Sequence, residues 1–428
     1  MMTVIQRISA FFISVLMLFG IFGKRTEDKS CLSVPEVALN GADITNGYLI
    51  EVPRASGTVR FNRVSFSYEA TAAVRAVFRY RQGVKTLEEE LLLSSRETGA
   101  SMLLNGYLAR RTASRLISVR FEPIAAAEKC IFSISGFTCD LQTVPNDQVV
   151  YIENGRFKAG VSLKWGGGLS CFEDKTNSDY GNLLNCHDTG RLVQQSYYGP
   201  MEIEGYENGV YGDSRWSYNP VQGGDMFGNA SKLVAFSITD DQIRVVCRPL
   251  DWAQNNMPTQ TYYINVYTLT EKGLSVENTA VDFLQTEWSV RAQEIPAFYA
   301  ISALGNFWFY DGDAPWTGAP LRCERELEFW GGKAAFDLQQ GNTETWCAWT
   351  DGAGYGIGLY TPIATSLLAG RFLYDGSADA NANPTNYVAP LGFFVLHFDE
   401  PFTYAYHLTA GSVTEIRTAF QALSPSLN

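Results

Sequence analysis

Between Asn182 and Tyr198 the chain carries Asn185, His187, Asp188, Arg191, Gln194, Gln195, Tyr197 and Tyr198, with Gly190 and Gly199 interrupting any regular element. A sugar ring presents hydroxyls that both donate and accept. A site for it therefore calls for amides, carboxylates, a guanidinium and an imidazole, with an aromatic face for the ring's C–H surface. This segment supplies all of them. A loop whose Asn and Asp merely cap neighbouring turns has the same composition, so the segment nominates a site without proving one.

Two further stretches hold similar chemistry. Trp216, Asn219, Gln222 and Asp225 surround the pair Gly223-Gly224, where an absent side chain lets backbone approach a ligand. Arg291, Gln293 and Glu294 enter an apolar run, which suggests side chains aimed at a cavity; an edge strand would carry such charges too. Asp251 with Trp252, Asp311 with Asp313 and Trp316, and the strand histidines His397 and His407 are lesser candidates, the histidines reading as core residues rather than ligands.

Three chemistries compete for these residues. A glycoside hydrolase sets two carboxylates across the glycosidic bond, and Asp188, Asp225 and Glu294 are the candidates, with His187 as a further proton carrier. A polysaccharide lyase abstracts the proton beside a uronate carboxyl group with Tyr or His while Arg or Asn neutralises the charge, and His187, Arg191, Asn185, Tyr197 and Tyr198 match that inventory. A non-catalytic glycan-binding or cell-surface protein keeps the aromatics and needs no paired acids. The reading ranks the hydrolase first, with an oligo- or polysaccharide as partner. The net charge of −12 and pI near 4.9 argue against nucleic acid and mildly against a polyanionic glycan. No cofactor is called for, and the eight cysteines include no C-x-x-C pair that would mark a metal site. Cys130 and Cys139 could bridge if Gly136 turned the chain between them.

The elements that must position these groups are strands. Val64, Phe66 and Tyr68, then Val74, Ala76, Phe78 and Tyr80, alternate with polar neighbours, the period of a sheet with one buried face. A helix over Leu103 to Leu116 is a local possibility. Pro145, Asn146 and Asp147 mark a connector. Further strands are expected near 243–247, 262–269, 344–349, 355–360 and 393–398, with long functional loops over 166–222 and 310–316. Ser412 and Glu415 form a capping box ahead of the apolar stripe Ile416, Ala419, Phe420 and Leu423, so one helix closes the chain.

The expected fold is all-β: a small N-terminal β-sandwich over 31–148, then a large double-sheet β-sandwich over 149–428 with one C-terminal helix. Arg7 ahead of the apolar run Ile8 to Gly23 gives residues 1–30 the character of a secretory signal or N-terminal anchor. The protein is thus expected to be secreted or extracytoplasmic, with membrane attachment only through that segment.

Trp165-Gly166-Gly167, the Asn182–Tyr198 segment, Asn219 to Asp225, Gln293-Glu294-Ile295-Pro296, Tyr355 to Pro362, Tyr406-His407-Leu408 and the Gly411 to Arg417 run resemble secreted bacterial proteins of the galactose-mutarotase-like supersandwich kind. That resemblance implies a glycan-facing groove on one sheet, with acid or base groups from loops. It carries no reaction, because the histidine pattern of mutarotases has no match among the three histidines of this chain.

Overall fold

The computed structural model describes residues 31–54, 60–105, 111–126, 129–177, 179–201, 203, 205–206, 218–328, 334–338 and 344–424. Residues 1–30, with the apolar N-terminal run, and Trp216 lie outside them.

The alternating runs of the first third form a two-sheet sandwich. One sheet pairs Cys31–Ser33, Ile131–Asp140, Arg63–Ala70 and Gly99–Leu103, with Leu39–Asp43 also on Ile131–Asp140; the other orders Tyr48–Glu51, Arg115–Pro123, Val74–Gln82 and Lys85–Leu93. The inward residues Val64, Phe66, Phe78 and Tyr80 are buried, and Phe66 stacks on Phe137 at 5.4 Å. Burying each such side chain contributes about 1.5–3 kcal/mol.

From Val149 onward two large antiparallel sheets face each other, beside the three-stranded sheet Val149–Glu153, Phe157–Ser162, Gly168–Asp174. The seven-stranded sheet runs Leu250–Asp251, Pro220–Val221, Gln194–Ser196, Arg291–Ile301, Thr385–Phe394, Ser366–Phe372, Ala334–Asp337. The nine-stranded sheet runs Lys232–Ile238, Gln242–Arg248, Thr261–Thr270, Gly273–Asp282, Phe402–Ser412, Tyr355–Tyr360, Trp346–Thr350, Asn306–Phe309, Arg322–Glu324. A shared core joins them: Phe298, Val388 and Leu367 from the first pack with Tyr263, Tyr406 and Leu359 from the second. The expected all-β double sandwich is what the chain forms.

Helix α1, Val413–Gln421, has the expected capping box: the Ser412 hydroxyl accepts from the Glu415 amide, and the Glu415 carboxylate accepts from the Ser412 amide. Its Ile416 and Phe420 pack against Trp346 and Tyr360, and Arg417 forks onto the fully buried Glu344 carboxylate.

Three sequence expectations are corrected. The helix over 103–116 does not form: Leu103 ends one strand and Arg115 begins another, while 106–110 lie outside the described residues. The strand expected at 393–398 ends at Phe394, because its pairing with Arg291–Ile301 stops at the Arg291–Phe394 pair. Cys130 and Cys139 do not bridge. Gly136, at φ 63°, bulges the single strand Ile131–Asp140 instead of turning the chain, so the two thiols sit at opposite ends, roughly 30 Å apart at strand rise. A disulfide needs Cα atoms within ~7 Å.

Candidate functional site

Strand alternation decides which side chains share the outward face of the seven-stranded sheet. Glu294 pairs with Leu391 and Ser196, and Tyr299 pairs with Tyr387. Glu294 and Tyr299, five residues apart, would face opposite sides of a regular strand. A register shift between Glu294 and Phe298 restores the parity, so both share a face with Tyr387 and Phe393. Tyr198, two residues past Ser196, joins them, while Tyr197 points inward onto Tyr263 and Phe394.

Glu294 is the centre of this cluster, 9% exposed and aimed away from the apolar core. Its Oε1 accepts from the Tyr387 hydroxyl at 2.9 Å and from the Tyr198 hydroxyl at 3.3 Å. Burial, and then the Glu294 carboxylate itself, hold both phenols well above their ordinary pKa, so they remain donors. Tyr299 stands 5.1 Å from the Tyr387 ring. Its phenol is raised by burial, then by Glu294 and Asp188, and lowered by Arg191.

Gln293 and Arg291 position this arrangement. Gln293, fully buried, accepts the Tyr198 amide on Oε1 at 2.7 Å and donates Nε2 to the Tyr198 carbonyl at 2.9 Å, extending the strand pairing with a side chain. The Arg291 guanidinium lies 5.3 Å from the Tyr198 ring centroid and donates to the Gly199 carbonyl.

The Asn182–Tyr198 segment divides between this face and the interior. Asn185 donates to the carbonyls of Ala382 and Pro384, His187 Nδ1 meets the Asn381 carbonyl at 2.7 Å, and Arg191 bonds the Asn383 carbonyl. Together they fasten the 381–384 loop beside the cluster. Asp188 is half-exposed: Oδ1 accepts from the Gly190 amide at 2.9 Å and Oδ2 faces Arg191 at 3.5 Å.

The remaining predicted residues belong to the scaffold. Gln194 bridges the Thr189 carbonyl and the Gly223 amide. Gln195 accepts the Tyr197 hydroxyl and donates to the Ile264 carbonyl. Gln222 accepts the Gln195 amide and opens a buried chain of side-chain bonds through Asn265 and Asn278 to Tyr404. Asn219 donates to the Tyr197 carbonyl. These amides are polar because the two sheets trap unpaired backbone and phenol groups between them. Asp225 is corrected most sharply. Its two oxygens take four donors, from the amides of Phe227, Asn229 and Asn256 and the Asn229 side chain, which fills a carboxylate's acceptor capacity. It ties a turn and has no oxygen free for proton transfer.

Asp251 is likewise enclosed, accepting the amides of Asn219 and Ala253, and burial pushes it up to about 7. Asp311 pairs with Arg322. His407 is half-buried against Tyr360, its imidazole lowered by burial, and His397 is exposed on the surface instead of in the core. Among the described residues no group of three or more His, Cys, Asp or Glu could hold a metal ion.

Sequence reasoning missed Tyr299, Tyr387 and Phe393. The single signal was a tyrosine recurring inside each of two otherwise apolar strands, and only the register shift reveals that both face Glu294.

No protein-family model and no curated protein matches the chain. It is similar in structure to a galactose mutarotase-like protein from Lactobacillus casei, at 14% identity, covering 61% of this chain and 100% of that one, with a TM-score of 0.38. A galactose mutarotase related enzyme from Lactobacillus acidophilus is similar at 12% identity over 62% of this chain and 97% of that one, TM-score 0.41. A 4-alpha-glucanotransferase from Thermococcus litoralis is similar at 10% identity over 61% of this chain and 37% of that one, TM-score 0.33. The likeness is one of style, and the architecture rests on the strand pairing described above.

Proposed function

We propose that this is a carbohydrate-active protein that holds a sugar against the outward face of its seven-stranded sheet, and that it acts as a glycoside hydrolase with Glu294 as proton carrier. The observation that carries the reading is Glu294 itself, a carboxylate 9% exposed, held by the Tyr198 and Tyr387 hydroxyls on a face that also presents Phe393 at 62% exposure. An oriented carboxylate beside an open aromatic surface suits a ring that is polar at its edge and apolar on its C–H faces. Asp188, on the segment whose His187 and Arg191 fasten the 381–384 loop beside the Glu294 cluster, is the proposed second carboxylate for glycosidic cleavage. Neighbours in fold carry sugar-related names, which agrees with the reading without deciding the reaction.

The test is a glycan panel with reducing-end detection. Glu294→Gln is expected to stay folded and lose about 10²–10⁴-fold in turnover, as loss of a positioned acid or base does. Full activity in both Glu294→Gln and Asp188→Asn would exclude the assignment. A second reading, a glycan-binding protein without turnover, is favoured by the engagement of Asp188 with the Gly190 amide and Arg191. Binding without product on every glycan would select it.

Export is part of the proposal. Arg7 and the apolar run from Ile8 to Gly23 support it. Fractionation of a C-terminally tagged chain should recover it outside the cytoplasm; soluble cytoplasmic protein with an intact N-terminus would overturn that placement.

A further inference from the structure

The acidic character of the chain is confined to its larger part. Residues 31–144 contain 13 Lys and Arg against 11 Asp and Glu, whereas residues 145–428 contain 16 against 32. Within the N-terminal sandwich the arginines of Val74–Gln82 mostly have acids facing them: Arg75 lies 3.4 Å from both Glu90 and Glu122, and Arg79 lies 3.6 Å from Glu88. Arg81 breaks that pattern. It stands directly opposite Arg115 across the strand pair, a like-charge pairing that costs stability. Among the described residues neither has a carboxylate within 4.0 Å, and the Arg115 Nε is buried without a hydrogen-bond partner.

Both arginines line one cleft of about 560 Å³, and Arg54 joins them there. Its floor is apolar, from Val34, Phe61 and Leu116, and Glu36 is the sole acid on its wall among the described residues. Three arginines thus line one open volume with a single acid among the described residues to offset them. The Arg81 Nε donates to the Gly83 carbonyl at 3.0 Å, a neutral acceptor that leaves its charge unpaired. Planar forks bind tetrahedral oxyanions through paired charge-assisted bonds.

We propose that this cleft is a binding site for a phosphate group, separate from the Glu294 face and on the other domain of the molecule. Phosphate in the cleft offsets the Arg81–Arg115 repulsion and supplies acceptors to the guanidinium groups that line it. The group could reach the cleft as a free phosphate or as the headgroup of an anionic phospholipid.

Calorimetric titration of the full chain with inorganic phosphate at low ionic strength, alongside sedimentation with phosphatidylglycerol and phosphatidylcholine vesicles, separates the sources. Saturable phosphate binding, weakened about 10-fold or more in Arg81→Gln/Arg115→Gln, supports the free anion. Sedimentation with phosphatidylglycerol alone, lost in the double variant, supports the headgroup. Arg115→Glu, which turns the repulsive pair into an attractive one, is expected to raise Tm by about 1–2 °C in phosphate-free buffer and to abolish the phosphate response. Failure to bind either probe, or binding unchanged in the double variant, overturns the proposal.

Discussion

At the Glu294 face the side chain that touches the carboxylate and the side chain that places it are different residues. Tyr198 lies beyond the end of its strand, and its backbone amide and carbonyl are both claimed by the Gln293 carboxamide. Removing that amide should therefore act through Tyr198 and not on the ligand. In a double-mutant cycle Gln293→Ala and Tyr198→Phe are expected to be strongly non-additive, the pair being hardly worse in kcat/KM than Tyr198→Phe alone. Additive losses would mean that Gln293 serves the site by another route. The cycle shows why residue type alone misled. Amides that bind ligand and amides that replace a missing backbone partner have the same composition, and Gln194, Gln195, Asn219 and Gln222 proved to be the second kind. Glu294 stands out in the sequence because a carboxylate in an apolar run has few structural uses, and its role is the one proposed above. Tyr387 does not stand out, since its role depends on a one-residue slip in a strand that precedes it by about ninety positions.

At the scale of elements, periodicity read well where one face is buried and poorly where both are. The alternation of Val74–Gln82 and the capping box of α1 were plain in the sequence, whereas Thr385–Phe394 is enclosed along most of its length and shows no period to mark its end. Enclosure also traps charge. Asp282, at the end of Gly273–Asp282, has no exposed surface and accepts from Thr261 and the Trp288 indole; burial, outweighing those donors, pushes it up to about 7. The folded state then holds its proton more tightly than the unfolded chain does, with its pKa near 4. Stability contributed by that proton is complete below about pH 4 and falls as pH rises towards 7, by about 4 kcal/mol for a shift of this size. Asp282→Asn cannot ionise, so urea titrations from pH 4 to 8 should show a shallower decline than wild type. Parallel profiles would mean that the Asp282 proton is not what the pH slope reports.

The whole molecule is held together by more than its connector. Val234, Tyr262, Val281 and Phe283 of the large sandwich are buried in the same apolar cluster as Phe66, Leu92 and Phe121 of the small one. Polar contacts close the seam: Lys232 meets Glu89 at 2.5 Å, Arg248 meets Glu90 at 2.6 Å, and Asp399 accepts from the Ser95 amide and hydroxyl. These ion pairs are largely buried, with side chains 11–36% exposed, so desolvation offsets most of their attraction and the apolar contacts dominate. A chain cut near Asn146 would expose them on both halves, at about 1.5–3 kcal/mol for each large side chain returned to water. The intact protein should therefore melt in a single transition, and a fragment from residue 145 onward should fold but melt well below it. Phe283→Ala carries the argument to one residue. The Phe283 ring meets Tyr262 and Phe398 of its own sandwich and is buried in the cluster shared with the small one. At the ~3–5 kcal/mol usual for a buried Phe, the substitution should lower the melting of the whole chain more than that of the fragment, which keeps only the first set of contacts. Calorimetry on the four species decides it: equal melting of fragment and full chain, or an equal loss in both from Phe283→Ala, would show that the two sandwiches are energetically independent.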